Sequence, residues 1–131
     1  MESFCEMNEK IIIYGTSKEE FPTEQALIGY LQRGLFQDEQ GRFRYTQNKD
    51  ADIIVLSRNG IAYGNLIVED RVEPTVEDKE VFPPVTSTYL ISSSVVYDNP
   101  VKLWAGLGIK VNAWGTIITQ RQFEEIQSIA S

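Results

Sequence analysis

ADIIVLSRNGIAYGNLIVED, residues Ala51 to Asp70, decides the fold. Two β-rich runs flank Asn59-Gly60, a pair favoured in two-residue hairpin turns because both central positions tolerate positive φ. Ile53 to Leu56 is apolar throughout, as in a strand covered on both faces. Gly64 in the return run marks a bulge or a close backbone approach. The expectation is a central hairpin in which Ile53–Leu56 pairs antiparallel with Leu66–Val68.

Upstream, KIIIYG (Lys10 to Gly15) reads as a short buried strand ended by glycine. A helix follows in FPTEQALIGYLQRGLF. Thr23 can cap it, Glu24 suits its positive end, Leu27, Tyr30, Leu31 and Leu35 recur at helical spacing, and Gly34 is a stop. QDEQGRFRYT then turns into a short strand through Phe43 and Tyr45, with Arg42 and Arg44 on its other face.

Downstream, VEPTVEDKEVFPPV (Val72 to Val85) combines three prolines with acids and reads as an exposed loop. TSTYLISSSVVYDNP gives one long strand or two short ones, stopped at Asp98-Asn99-Pro100. A turn of helix is expected around Leu103 and Trp104, then strand from Ile109 and again near Ile117. Thr119 with Gln122 forms a capping box for a closing helix whose Phe123, Ile126 and Ile129 line one face. The order predicts an α+β domain: a small mixed, mostly antiparallel β-barrel with an early and a C-terminal helix, a single domain over residues 1–131, and a flexible N-terminus over 1–9.

Composition narrows the chemistry. The chain has 131 residues, is 42% hydrophobic and 24% charged, and carries 12 Lys and Arg against 19 Asp and Glu, a net charge of −7. These are ordinary globular proportions for one domain. Six acids between Glu69 and Glu80, against Arg71 and Lys79, supply −4 of that charge, which leaves −3 for the rest. A cationic face elsewhere is therefore compatible with the acidic total. There is no histidine and the single cysteine is Cys5, so intrachain disulfides, histidine-based triads and Cys- or His-rich metal sites are excluded. No carboxylate pair, neither Asp50 with Asp52 nor Glu124 with Glu125, has a partner that points to catalysis. No enzyme, cofactor or metal site is expected. No apolar run approaches the roughly 18 residues of a membrane span, and MESFCEMNEK carries acids where a secretory signal carries cations. The expected location is cytoplasmic, with no membrane partner.

The chain resembles a known family at three places. The Ala51–Asp70 hairpin is similar to that of PUA-like folds, particularly the EVE and YTH branches. YLISSSVVYDNPVKL resembles the EVE-type segment where a strand leads through an aromatic and a proline-valine pair into a short helical turn. ITQRQFEEIQSIA is similar to the closing helix. Where standard EVE proteins carry a tryptophan motif near the N-terminus, this chain has IIIYGTSKEEF. The resemblance implies a domain that holds a modified or flipped base of DNA or RNA in an aromatic pocket at one end of the barrel. It also implies work within modification-dependent restriction or RNA processing, alongside a larger effector protein.

The candidate ligand residues follow. Trp104 and Trp114, the only tryptophans, can stack a base, although a tryptophan in so small a domain is usually core. Asn112 can pair with a base edge or cap a turn. Thr16 and Ser17 sit where PUA-like pockets take polar contacts by resemblance, or simply close a turn, and Tyr89 is a further candidate wall. GRFRYTQNK (Gly41 to Lys49) interleaves cations with aromatics, so Arg42, Arg44 and Lys49, with Arg58, are the candidate phosphate contacts. Their alternative role is to guard a strand edge with charge. Two other functions stay open: an acidic adaptor that binds a protein or small metabolite, and an ASCH-like enzyme.

Overall fold

The computed structural model describes residues 9–19, 21–33, 42–45, 51–73, 76, 80, 87–112 and 115–131. The elements are β1 (Ile11–Gly15), α1 (Glu24–Arg33), β2 (Arg42–Tyr45), β3 (Ile53–Arg58), β4 (Ile61–Val72), β5 (Ser87–Lys102), α2 (Leu103–Leu107), β6 (Thr116–Ile118) and α3 (Gln120–Ala130). The strands form one six-stranded sheet in the order β2-β5-β4-β3-β1-β6. Every pairing is antiparallel except that of β1 with β3, between which α1 and β2 intervene. The class is mixed α+β, as expected. Among the described residues the sheet is not closed, and β2 and β6 are its edges.

The hairpin forms as the sequence dictates. Asn59 (φ 54°) and Gly60 (φ 75°) make the turn, and Ile53, Ile54, Val55 and Leu56 pair with Ile67, Leu66, Asn65 and Gly64. The Val68 N–H extends the pairing to the Asp52 carbonyl at 2.9 Å. The two-residue period divides the core in two. Ile12, Ile54, Leu56 and Leu66 join Leu27, Tyr30 and Leu31 of α1 on one face. Ile11, Ile13, Ile53 and Val55 join Leu103 of α2 and Ile126 and Ala130 of α3 on the other. The continuous apolar run of β3 is the signature of this double burial.

Gly64 is both a bulge and a close approach. The register slips between Leu56 and Ser57, which leaves Tyr63 as the extra residue on β4. A Cβ on Gly64 would overlap the Val95 carbonyl oxygen and lie 2.7 Å from Leu31 Cδ1, so β5 and α1 both close on this backbone. Two hydrogen bonds secure α1 there: the Tyr63 hydroxyl donates to Glu24 Oε2 at 2.7 Å and the Ser94 hydroxyl to the Leu31 carbonyl at 2.8 Å. The Thr23 cap is present, its hydroxyl oxygen accepting from Ala26 N at 3.2 Å.

Several expected boundaries move. β4 continues through Glu69, Asp70 and Arg71 to Val72, so the first residue of the expected loop and the two acids before it are strand. Of the remainder, Glu73, Val76 and Glu80 are exposed, with helical backbone at Val76 and Glu80 in place of loop; the rest of that segment lies outside the described residues, as do Gly34, Leu35 and residues 1–8. β5 is one strand and passes through Asp98-Asn99-Pro100. The register jumps there from Gly64↔Val96 to Ala62↔Val101, so the proline without an N–H sits where the ladder is already interrupted. Ile109 opens a loop and not a strand, because the αL cap at Gly108 (φ 68°) turns the chain out of α2 and drops Ile109 into the core. The capping box of α3 is present, but Ile129 is exposed and Ala130 takes the buried place, one turn on from Ile126.

Two predictions follow from this packing. Gly64→Ala must push β5 or α1 off the sheet, and should lower unfolding free energy by about 3 kcal/mol or more in denaturant titration. The second concerns Tyr97, buried between β5 and α3, whose hydroxyl donates to Asn65 Oδ1 at 2.8 Å and accepts from Gln127 Nε2 at 3.2 Å. Burial pushes this phenol well above its ordinary value of 10.0, with the Gln127 hydrogen bond acting in the opposite direction. The folded state keeps a proton that the unfolded chain sheds, so this contribution is intact below pH 10.0 and declines as pH rises beyond it. Tyr97→Phe should cost about 1 kcal/mol near neutrality by stranding Asn65, and should show a shallower alkaline decline in thermal unfolding.

Candidate functional site

The carboxyl ends of the parallel pair β1 and β3 are latched together. The Thr16 N–H and hydroxyl both donate to the Ser57 carbonyl at 2.8 Å, and the Ser57 hydroxyl donates to the Tyr14 carbonyl at 3.2 Å. Beside them the Asn59-Gly60 turn anchors α2, because the Gly60 carbonyl accepts from Leu103 N at 3.0 Å. Leu103 is buried, which leaves Trp104 on the outward side of this short helix with 68% of its surface exposed. The segment after Gly108 returns across the end of β1. Val111 Cγ1 lies 3.4 Å from where a Cβ on Gly15 would be, an ordinary contact distance. Thr116 Oγ1 accepts from Asn112 N at 2.8 Å and donates to the Lys110 carbonyl at 3.3 Å, which fixes the loop.

These pieces enclose an open cleft of about 270 Å³ lined by Gly15, Thr16, Ser57, Asn59, Gly60, Trp104 and Ile109 to Asn112. Three residues singled out in the sequence, Thr16, Trp104 and Asn112, meet here although they belong to distant segments. Among the described residues the lining holds one cation, Lys110, and no carboxylate. Lys110 escaped the sequence reading. The signal for it was its place two residues before Asn112, which in extended backbone puts both on one side.

Other expected contacts are elsewhere. Ser17 is half-buried outside the lining, and its carbonyl accepts from Phe21 N at 3.0 Å, so it closes the turn before α1. Tyr89 is fully buried in the core beneath α1 and borders a different cavity of about 330 Å³ with Lys10, Asp52, Glu69 and Asp70. That cavity has the wrong charge for a polyanion. Arg58 is committed to structure: its Nε donates to the Phe21 carbonyl at 3.0 Å and Nη2 to the Pro22 carbonyl at 2.7 Å. Arg42 and Arg44 stand on β2, opposite Leu90 and Thr88 of β5, and those residues pair with Asp70 and Val72. The basic stretch therefore lies at the end of the β4–β5 ribbon away from the Asn59-Gly60 turn. Trp114 and Lys49 fall outside the described residues. Among the described residues no group of three or more His, Cys, Asp and Glu is placed to hold a metal ion, and no helix is long and apolar enough to cross a membrane.

No family model, no curated protein and no solved structure matches this chain. Arg58→Met keeps the aliphatic stem and removes both hydrogen bonds to the loop before α1. It should lower stability by about 1 to 2 kcal/mol in chemical denaturation and leave Trp104 as exposed to acrylamide quenching as before.

Proposed function

We propose that this protein is a recognition module that captures a single planar base, modified or unpaired, in the cleft beside Trp104, and does no chemistry on it. The observation that carries the reading is the exposed Trp104 ring beside a cleft whose described lining has no carboxylate, in a chain of net charge −7. Exposing a large ring at a cleft costs solvation that burial would regain, and stacking a base recovers it. A volume of about 270 Å³ lies just below the range of ordinary small-molecule sites, which suits one base better than a larger ligand. Asn112 offers a donor and an acceptor from one amide, as base-edge recognition requires. The natural ligand on this reading is DNA or RNA presenting such a base, with an effector protein acting on the recognition.

The finer architecture belongs to the same proposal. A PUA-like barrel of the EVE type is supported by the resemblance of the hairpin, the β5–α2 junction and α3, and would require the β2 and β6 edges to approach. Against it stand the two separate cores on opposite faces of the sheet.

Trp104→Ala should leave the fold intact, since the side chain is mostly exposed, and weaken binding of a base-containing ligand by about 1 to 3 kcal/mol. Calorimetric titration of modified and unmodified oligonucleotides against both proteins checks this. Equal affinity of the two proteins removes the cleft from the function. Absence of binding to every oligonucleotide favours the adaptor reading.

A further inference from the structure

Resting on base capture beside Trp104, we infer that the cleft takes one nucleotide with one phosphate contact: a nucleoside 5′-monophosphate or the terminal nucleotide of a strand. A track for several consecutive phosphates needs a row of cations leading away from the base. Among the described residues the cleft lining does not supply one: it holds Lys110, while the exposed Lys18 and Lys102 lie outside the lining. Arg58, next in sequence to the Asn59-Gly60 turn, has its guanidinium spent on the carbonyls of Phe21 and Pro22. Arg42 and Arg44 belong to β2, at the far end of the β4–β5 ribbon, and the way there passes the cavity bordered by Asp52, Glu69 and Asp70. A base extruded from within a strand would bring phosphates on both sides past that acidic ground. A terminal or free nucleotide places its phosphate at Lys110 and exposes no other.

The polar lining also orients the base. The Thr16 hydroxyl donates its proton to the Ser57 carbonyl at 2.8 Å, so toward a ligand its oxygen can only accept. The captured edge must therefore bring an N–H, from an amino group or a ring nitrogen, to Thr16. Thr16→Val removes this acceptor without stranding the Ser57 carbonyl, which still receives the Thr16 N–H at 2.8 Å.

The test is calorimetry of the intact chain at several salt concentrations, with the four nucleoside 5′-monophosphates, the matching nucleosides, and pentanucleotides with and without a 5′-phosphate. One phosphate contact gives a log K against log salt slope of about −0.7, the same for a monophosphate and for a pentanucleotide. Lys110→Met should abolish the slope and bring each monophosphate to the affinity of its nucleoside. Thr16→Val should lower affinity by about 5- to 10-fold for ligands that carry the N–H, the loss of one neutral hydrogen bond. Arg44→Gln should change nothing. A pentanucleotide slope of about −2 or steeper, or a loss of pentanucleotide binding in Arg44→Gln, overturns the single-phosphate inference while leaving base capture standing. A slope of about −0.7 with monophosphate affinity unaffected by Trp104→Ala overturns base capture instead. Preference for the 5′-phosphorylated pentanucleotide over the free monophosphate identifies a strand end as the source, and the reverse identifies a free nucleotide. No binding of any of these probes overturns the single-phosphate inference, and capture of an unmodified base with it.

Discussion

A side chain cannot exist at position 64, and much of the molecule is arranged around that fact. The backbone there is closed on by the Val95 carbonyl from β5 and by Leu31 from α1. The bulge that admits this contact makes Tyr63 the unpaired residue of β4, on the face that α1 covers, where its hydroxyl reaches Glu24. Leu31 in turn receives Ser94 at its carbonyl. One glycine thus joins the hairpin, the first helix and the long strand at a single point. The bulge also ends the regular ladder two residue pairs before the turn, at Ser57↔Ala62 and Arg58↔Ile61. That short stretch carries the Asn59-Gly60 turn out to where it can hold Leu103 and set α2 beside the end of β1. The cleft is a downstream product of the bulge.

The strongest local signals in the sequence were those whose physics is local. The Asn59-Gly60 turn, the apolar run of β3, the Thr23 cap and the Thr119–Gln122 capping box are each decided within a few residues, and each is present. What was not legible depended on distant partners. Asp98-Asn99-Pro100 has the composition of a stop, but β4 accommodates it as an interruption in the ladder, and no local pattern can report that. Ile109 looks like strand and becomes a core residue of a loop because Gly108 redirects the chain. The cleft was legible by residue type at Trp104, Asn112 and Thr16. Arg42, Arg44 and Arg58 do not line the cleft, because basic-aromatic interleaving on β2 says nothing of where that strand docks, and Arg58 gives no hint in sequence that two carbonyls before α1 will claim it.

Charge separates the two ends of the β3–β4 hairpin. At its open end, where Asp52 receives Lys10 N at 2.8 Å, the cavity wall also carries Glu69 and Asp70. At its turn end the described cleft wall carries Lys110 and no acid. In about 0.15 M salt the screening length is near 8 Å, less than the length of three strand residues. The acidic end therefore exerts little force on a ligand already seated at the turn, while it repels a polyanion laid along the whole sheet. A net charge of −7 is thus compatible with an anion at one end, provided the anion is short.

The cleft walls are rigid, which suits the proposed recognition of a ligand. The cleft walls are held by hydrogen bonds at Thr16, Gly60, Asn112 and Thr116, and two of its glycine-permitted turns, at Gly60 and Gly108, are fixed in positive φ. A preformed wall loses little entropy when a ring settles on it, which favours binding by an exposed aromatic even where few hydrogen bonds are on offer. Among the described residues the cationic side chain in the lining is Lys110. Such a lysine suits a fixed negative charge. On the reading proposed above, the cleft would hold a flat anionic ligand still.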